Sequence, residues 1–218
     1  MDRVPIADAV NLAVGPAPGA ALAAATAVKA AGEAHHHFQV TAALRGHLLG
    51  HGHVHDGNGV FGYLGGEYRL RFTKADVWRW SAPPNSPTLS DLLLEADVRM
   101  PEAANGAAAL VFGLNQAGDD FHLFEIDNTG SYSMYRRQAG AWQTLLRPAP
   151  SAALRTGTVA NHLMLVRASG LTRLYANGQR ISLVTDLPAP AGRVALYASC
   201  VATGFEARWD NFRAYGLR

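Results

Sequence analysis

Phe124-Glu125-Ile126-Asp127-Asn128-Thr129-Gly130-Ser131-Tyr132-Ser133-Met134-Tyr135-Arg136-Arg137 is the stretch whose reading decides the fold. Apolar and polar residues alternate on both sides of Asn128-Thr129-Gly130. That is the period of a strand, a turn and a second strand. With the turn at Asn128–Gly130, Glu125 falls opposite Ser133, Leu123 opposite Tyr135, and Phe121 opposite Arg137. Side chains alternate across a strand, so Phe124, Ile126, Tyr132 and Met134 share one face, the expected core face. Glu125, Asp127, Tyr135 and Arg137 share the other.

Working outward, the same period recurs. Leu94, Ala96, Val98 and Met100 alternate with Glu95, Asp97 and Arg99. Further strand-like runs start near Glu67, Asp76, Ala107, Ala141, His162, Leu171, Gln179, Arg193 and Phe205. Turn signals separate them, of which Asn177-Gly178 is the strongest. About a dozen short strands at this spacing predict an all-β, antiparallel two-sheet sandwich or jelly roll. No βαβ alternation and no solenoid-like repeat is present.

The chain has 218 residues, 49% hydrophobic and 17% charged, with a formal net charge of +2. It can fill a core, and it lacks the basic stripe that nucleic acid would ask for. The single cysteine, Cys200, excludes a disulfide within the chain. No stretch reaches the roughly 20 strongly apolar residues of a membrane span. The N-terminus does not read as a signal peptide, because its first residues carry no net positive side-chain charge and the apolar run starts late.

Composition shifts near residue 50. Residues 1–50 are rich in Ala, Gly and His, with helix formers from Ala20 to Ala34; nearly all the aromatics follow Phe61. Two parts are therefore expected: a partly helical Ala/His-rich arm over 1–50 and a sandwich over 51–218.

Three segments carry a family resemblance: the hairpin above, Leu174-Tyr175-Ala176-Asn177-Gly178, and the ending Arg208-Trp209-Asp210-Asn211-Phe212-Arg213-Ala214-Tyr215. Together they resemble bacterial concanavalin A-like jelly-roll domains, with laminin-G-like domains and the 3-keto-disaccharide hydrolase-like family as nearest kin, over about residues 60–218. The resemblance implies two sheets, one of them concave with a ligand on its outer face, and an extracytoplasmic setting. It also implies a structural calcium near Asp210 and Asn211. Where such domains open with an acidic, aromatic strand, this sequence has Gly50-His51-Gly52-His53-Val54-His55-Asp56.

The expected ligand face gathers Glu125, Asp127, Phe121, Tyr135 and Arg137. Glu95, Asp97 and Arg99 join them if their strand belongs to the same sheet. Carboxylates and an arginine there would hydrogen-bond sugar hydroxyls, and Trp78 and Trp80, on one side of a short strand, would offer a stacking platform. The plainer alternative is a solvated face with cross-strand ion pairs. Trp142 is expected to cap the core and Trp209 to lie within it. If the chain were a glycosidase, Glu125 and Asp127 would be its carboxylates, but the second same-face carboxylate of a retaining site is replaced by Thr129 and Gly130. His51, His53 and His55 form a weaker metal-ligand set in a Gly-rich stretch.

Three functions follow, in order: a non-catalytic carbohydrate-binding or adhesion module needing no cofactor beyond such a calcium; a scaffold or coat protein that self-associates through residues 1–50; a glycoside hydrolase acting on a (3-keto-)disaccharide. The expected partner is a saccharide or another protein surface.

Overall fold

The computed structural model describes residues 40–45, 54–83, 86–100 and 105–217. The alanine-rich helix expected at Ala20–Ala34, together with His51 and His53, lies outside them.

The described strands are β1 (Val40–Arg45), β2 (Val54–Asp56), β3 (Gly59–Leu64), β4 (Glu67–Phe72), β5 (Val77–Ser81), β6 (Leu92–Arg99), β7 (Gly106–Leu114) and β8 (Phe121–Asp127), followed by β9 (Ser131–Gln138), β10 (Ala141–Pro150), β11 (Asn161–Ala168), β12 (Leu171–Ala176), β13 (Gln179–Thr185), β14 (Arg193–Cys200) and β15 (Glu206–Leu217). They form two antiparallel sheets. The first runs β13-β12-β11-β6-β15-β4-β3-β2, with β1 also paired to β15. The second runs β10-β9-β8-β7-β14-β5.

The main core lies between the sheets. Leu92, Leu94, Ala96 and Val98 of β6 meet Ala108, Leu110 and Phe112 of β7 and Phe124 and Ile126 of β8 in one buried cluster. Trp209 is 1% exposed within it, as its strand position predicted. The β8–β9 register is the one read from sequence: Glu125 pairs with Ser133, Leu123 with Tyr135, and Phe121 with Arg137.

Two hairpin features show how local sequence sets this geometry. Asn177 and Gly178 both hold positive φ, 51° and 82°. Those are the values a two-residue turn matching strand twist requires. Asn177 Nδ2 also donates to Ala153 O and Asn161 Oδ1, at 2.7 and 2.8 Å, so the turn is tied to the neighbouring loop.

The structure adds strands before Glu67, where sequence reading begins. In β3, Gly59 sits so close to β4 that an added Cβ would lie 2.1 Å from Arg71 O. Glycine is required there, and it dilutes the strand signal. β1 falls inside the segment assigned to the arm, and its residues Ala42–Arg45 pair with β15, so the sheet begins before the expected boundary at residue 51.

His122, on the core-facing side of β8, is 1% exposed and stacks on Phe112 with ring centroids 5.3 Å apart. Neither ring nitrogen has a hydrogen-bond partner among the described residues. Burial, aided by the charges of Arg136 and Arg167, pushes its pKa down from 6.5 to about 4.

Two outcomes are expected. An added Cβ at Gly192 would lie 2.4 Å from the Gly113 carbonyl carbon, which is backbone and cannot swing aside. Gly192→Ala should therefore cost about 1–3 kcal/mol in urea unfolding; an unchanged midpoint would contradict that packing. Between pH 6.5 and 4 the unfolded chain takes up the His122 proton and the folded chain does not, so acidification favours unfolding. Wild type should lose about 3 kcal/mol relative to His122→Gln as pH falls from 7 to 4. A pH-independent difference between the two proteins would contradict the buried neutral imidazole.

Candidate ligand face on the second sheet

The outer face of the second sheet is built on small residues. Ala109, Val111 and Ala195 line its centre, all at 0% exposure, beneath a second cluster that includes Phe121, Leu123 and Tyr197. Trp78 and Trp80 point to this side from β5, where Trp80 pairs with Tyr197 and Trp78 with Ser199. Trp142 points to it from β10, paired with Arg137.

β5 and β10 are the two edges of this sheet. In a flat sheet, five strand spacings would separate them by about 24 Å. Yet the rings of Trp78 and Trp142 meet edge to face, centroids 5.8 Å apart at 84°. The sheet is therefore strongly curled, and both indoles reach inward across it. Beneath them Trp78 stacks on Tyr197 at 5.9 Å, and Trp142 meets Phe121 at 5.7 Å. Phe121 and Tyr197 are buried, whereas Trp78 and Trp142 remain 38% and 43% exposed. The guanidinium of Arg137 lies 4.8 Å from the Trp78 ring centre and 5.3 Å from that of Trp142, within cation–π range.

Glu125 stands on the same face. Ser133 Oγ donates to its Oε1 at 3.2 Å. Burial, with a smaller contribution from Asp127, pushes its pKa up from 4.5 to about 7. Burial likewise raises the Tyr197 phenol, and the Glu125 charge adds to the effect. Asp127 is used differently. Its Oδ1 accepts from Thr129 N at 2.9 Å, Thr129 Oγ1 at 2.7 Å and Ser131 N at 3.0 Å, closing the β8–β9 turn. Trp80 is also tied down: its Nε1 donates to Gly118 O at 3.1 Å. The Gly118 loop is in turn shaped by Asn115 Oδ1, which accepts from the amides of Gly118, Asp119 and Asp120.

Two sequence expectations are corrected. Glu95, Asp97 and Arg99 do face outward, but from the first sheet, because β6 pairs with β11 and β15 and not with the β8–β9 hairpin. Strand parity fixes a face and says nothing about which sheet owns the strand. There these residues pair with neighbours on the same sheet. His162 Nδ1 donates to Asp97 Oδ1 at 2.8 Å, and Arg213 Nη1 donates to Glu95 Oε1 at 3.4 Å. Hydrogen bonds to Asp97 and then to Glu95 raise His162 to about 9, and the His162 contact holds Asp97 below its usual range. Arg99 forks onto Glu67, its Nε 2.7 Å from Oε1. The second correction is Trp142, which caps the aromatic cluster on the outer face and not the core. It and Tyr197 are the site residues that sequence reading missed. Extending the hairpin pairing past Ala139-Gly140 puts Trp142 opposite Arg137, so that signal was present.

Asp210 and Asn211 sit at a β-bulge on β15, where Asn211 holds φ of 53°. Asp210 Oδ1 accepts from Asn211 N at 2.7 Å, and Asn211 Nδ2 donates to Asp97 Oδ2 at 2.7 Å. Among the described residues, no three His, Cys, Asp or Glu side chains gather closely enough to hold a metal ion. Of the three candidate histidines only His55 is described, by its backbone in β2.

No protein-family model matches the chain, and no curated protein matches it. Solved structures do. Carbohydrate-binding module CBM66 from Bacillus subtilis is similar over 72% of this chain and 91% of its own, at 16% identity and a TM-score of 0.59. The exoplasmic/lumenal domain of VIP36, solved in a Ca2+/Man3GlcNAc-bound form, is similar over 71% of this chain and 81% of its own, at 11% identity and a TM-score of 0.56. The β-glucanase of Bacillus licheniformis is similar over 83% of this chain and 92% of its own, at 12% identity and a TM-score of 0.53. At such identities the likeness speaks for architecture alone, and with the two sheets described above it gives the chain the fold of a concanavalin A-like jelly-roll β-sandwich.

Proposed function

We propose that the protein is a non-catalytic saccharide-binding module whose ligand lies on the outer face of the second sheet. The observation that carries this reading is the pair of exposed indoles, Trp78 and Trp142, drawn together from opposite edges of a curled sheet. Indole faces stack on the C–H faces of sugar rings, and large rigid aromatics bring contact area at small entropic cost. Arg137, Tyr135 and Glu125 supply polar groups on the same side. The likeness to a carbohydrate-binding module and to a domain solved with Man3GlcNAc bound supports the reading at the level of fold.

A glycosidase reading fits less well. Retaining hydrolysis needs two carboxyl groups about 5 Å apart, and inverting hydrolysis needs a second free base. Asp127 spends one oxygen on three hydrogen bonds within its turn, and among the described residues no other carboxylate pairs with Glu125 on this face. The scaffold reading places association in residues 1–50, of which the described stretch, Val40–Arg45, pairs with β15 of its own chain.

Both exposed indoles lie outside the core between the sheets, so their removal leaves that core closed. Trp78→Ala and Trp142→Ala should each weaken binding of any saccharide retained on a glycan array by about tenfold, measured by calorimetry on the retained compound. An array without a single bound saccharide would overturn the reading, and so would sugar release abolished by Glu125→Gln. Glu125 is neutral and able to donate below pH 7 and ionised above it. Asp127, Tyr135, Tyr197 and Arg137 share its face, so a variant must isolate its part. Affinity should change between pH 6 and 8 in wild type and stay flat in Glu125→Gln; parallel profiles would remove Glu125 from the site.

A further inference from the structure

Arg137 differs from the other arginines around it. Arg136, the next residue, reaches Asp120 at 3.7 Å. On the opposite sheet Arg99 meets Glu67 and Arg213 meets Glu95. Arg137 meets no carboxylate among the described residues. It lies instead in the corner between two perpendicular indoles, 4.8 Å from one ring centre and 5.3 Å from the other. Its Nε is buried without a hydrogen-bond partner among the described residues, a trait it shares with Arg136 and Arg193; what sets Arg137 apart is the pair of indoles.

Such a guanidinium is prepared for an anion. Contact with two rings restrains the guanidinium, so part of the side-chain entropy that arginine loses on binding is already lost. The indoles keep water from part of the cation and lower the local screening, which strengthens its pull on a negative group. The two Nη groups form a planar pair that matches the two oxygens of a carboxylate. A neutral sugar would leave this charge uncompensated.

Resting on the saccharide-binding reading, we infer that the ligand is an acidic glycan, one whose sugar carries a carboxylate, and that Arg137 receives that carboxylate while Trp78 and Trp142 contact the same ring. The ligand class is thus a uronate-containing oligosaccharide.

The test is calorimetry with three uronate probes, oligogalacturonate, oligomannuronate and a hyaluronan fragment, each beside its carboxyl-reduced counterpart. At least one acid should bind wild type about tenfold or more tightly than its reduced form. Arg137→Gln should erase that preference while keeping the wild-type melting curve. Arg137→Lys, which keeps the charge and loses the fork, should recover only a minor part of it. Equal affinity for acid and reduced forms would overturn the acidic-glycan assignment and leave saccharide binding standing. A sulfated galactan fragment that carries no uronate, preferred over every uronate with the preference lost in Arg137→Gln, would place a sulfate at the fork and overturn the carboxylate assignment. Binding of no saccharide at all would overturn the parent reading and this inference together.

Discussion

Two indoles from opposite edges of one sheet touch, and most of what is distinctive about this sandwich depends on that contact. Trp78 and Trp142 meet at 5.8 Å although four strands separate theirs. The meeting requires a curled sheet. A curled sheet requires little bulk at the centre of its outer face, where Ala109 and Ala195 lie. With the indoles in place, Phe121 and Tyr197 are roofed over and Arg137 has a corner to occupy. The site is therefore less a set of separate polar groups than a consequence of sheet curvature.

The two outer faces handle charge in opposite ways. On the first sheet, carboxylates and cations meet one another: His162 lies between Asp97 and Glu95, Arg213 reaches Glu95, and Arg99 forks onto Glu67. Burying a carboxylate such as Glu95, at 1% exposure, is tolerable only with partners of this kind. On the second sheet, Glu125 is half-buried and, among the described residues, has no cation beside it; it answers by holding its proton up to about pH 7, while Arg137 lies against aromatic faces with no described carboxylate to meet. A face whose charges are mutually satisfied is a structural surface. A face whose charges are held apart keeps the capacity to receive something else.

How far the sequence carried this picture follows from which forces are local. The β8–β9 hairpin was legible because register depends on a turn and on period-two alternation, both written within about fifteen residues. The pairing of Glu125 with Ser133 and of Phe121 with Arg137 needed nothing more. Sheet membership was not legible. β6 alternates as cleanly as β8, and nothing within either strand says that one joins β11 and β15 while the other joins β7 and β9. Glu95, Asp97 and Arg99 were misplaced for that reason. The turn duty of Asp127 was hidden too, because an outward carboxylate reads alike whether it faces solvent or bonds backbone amides two and four residues ahead. The Trp78–Trp142 contact was out of reach in principle, since it comes from curvature accumulated over the whole sheet.

The central claim is that ligand binds where the indoles meet. The four tryptophans provide the reporters, because each indole N–H gives its own NMR signal. Titration of 15N-labelled protein with a saccharide it binds should shift the indole signals of Trp78 and Trp142 strongly and leave that of Trp209, buried between the sheets, in place. Shifts confined to the outer face of the first sheet, around Arg213 and His162, with Trp78 and Trp142 unmoved, would contradict the account.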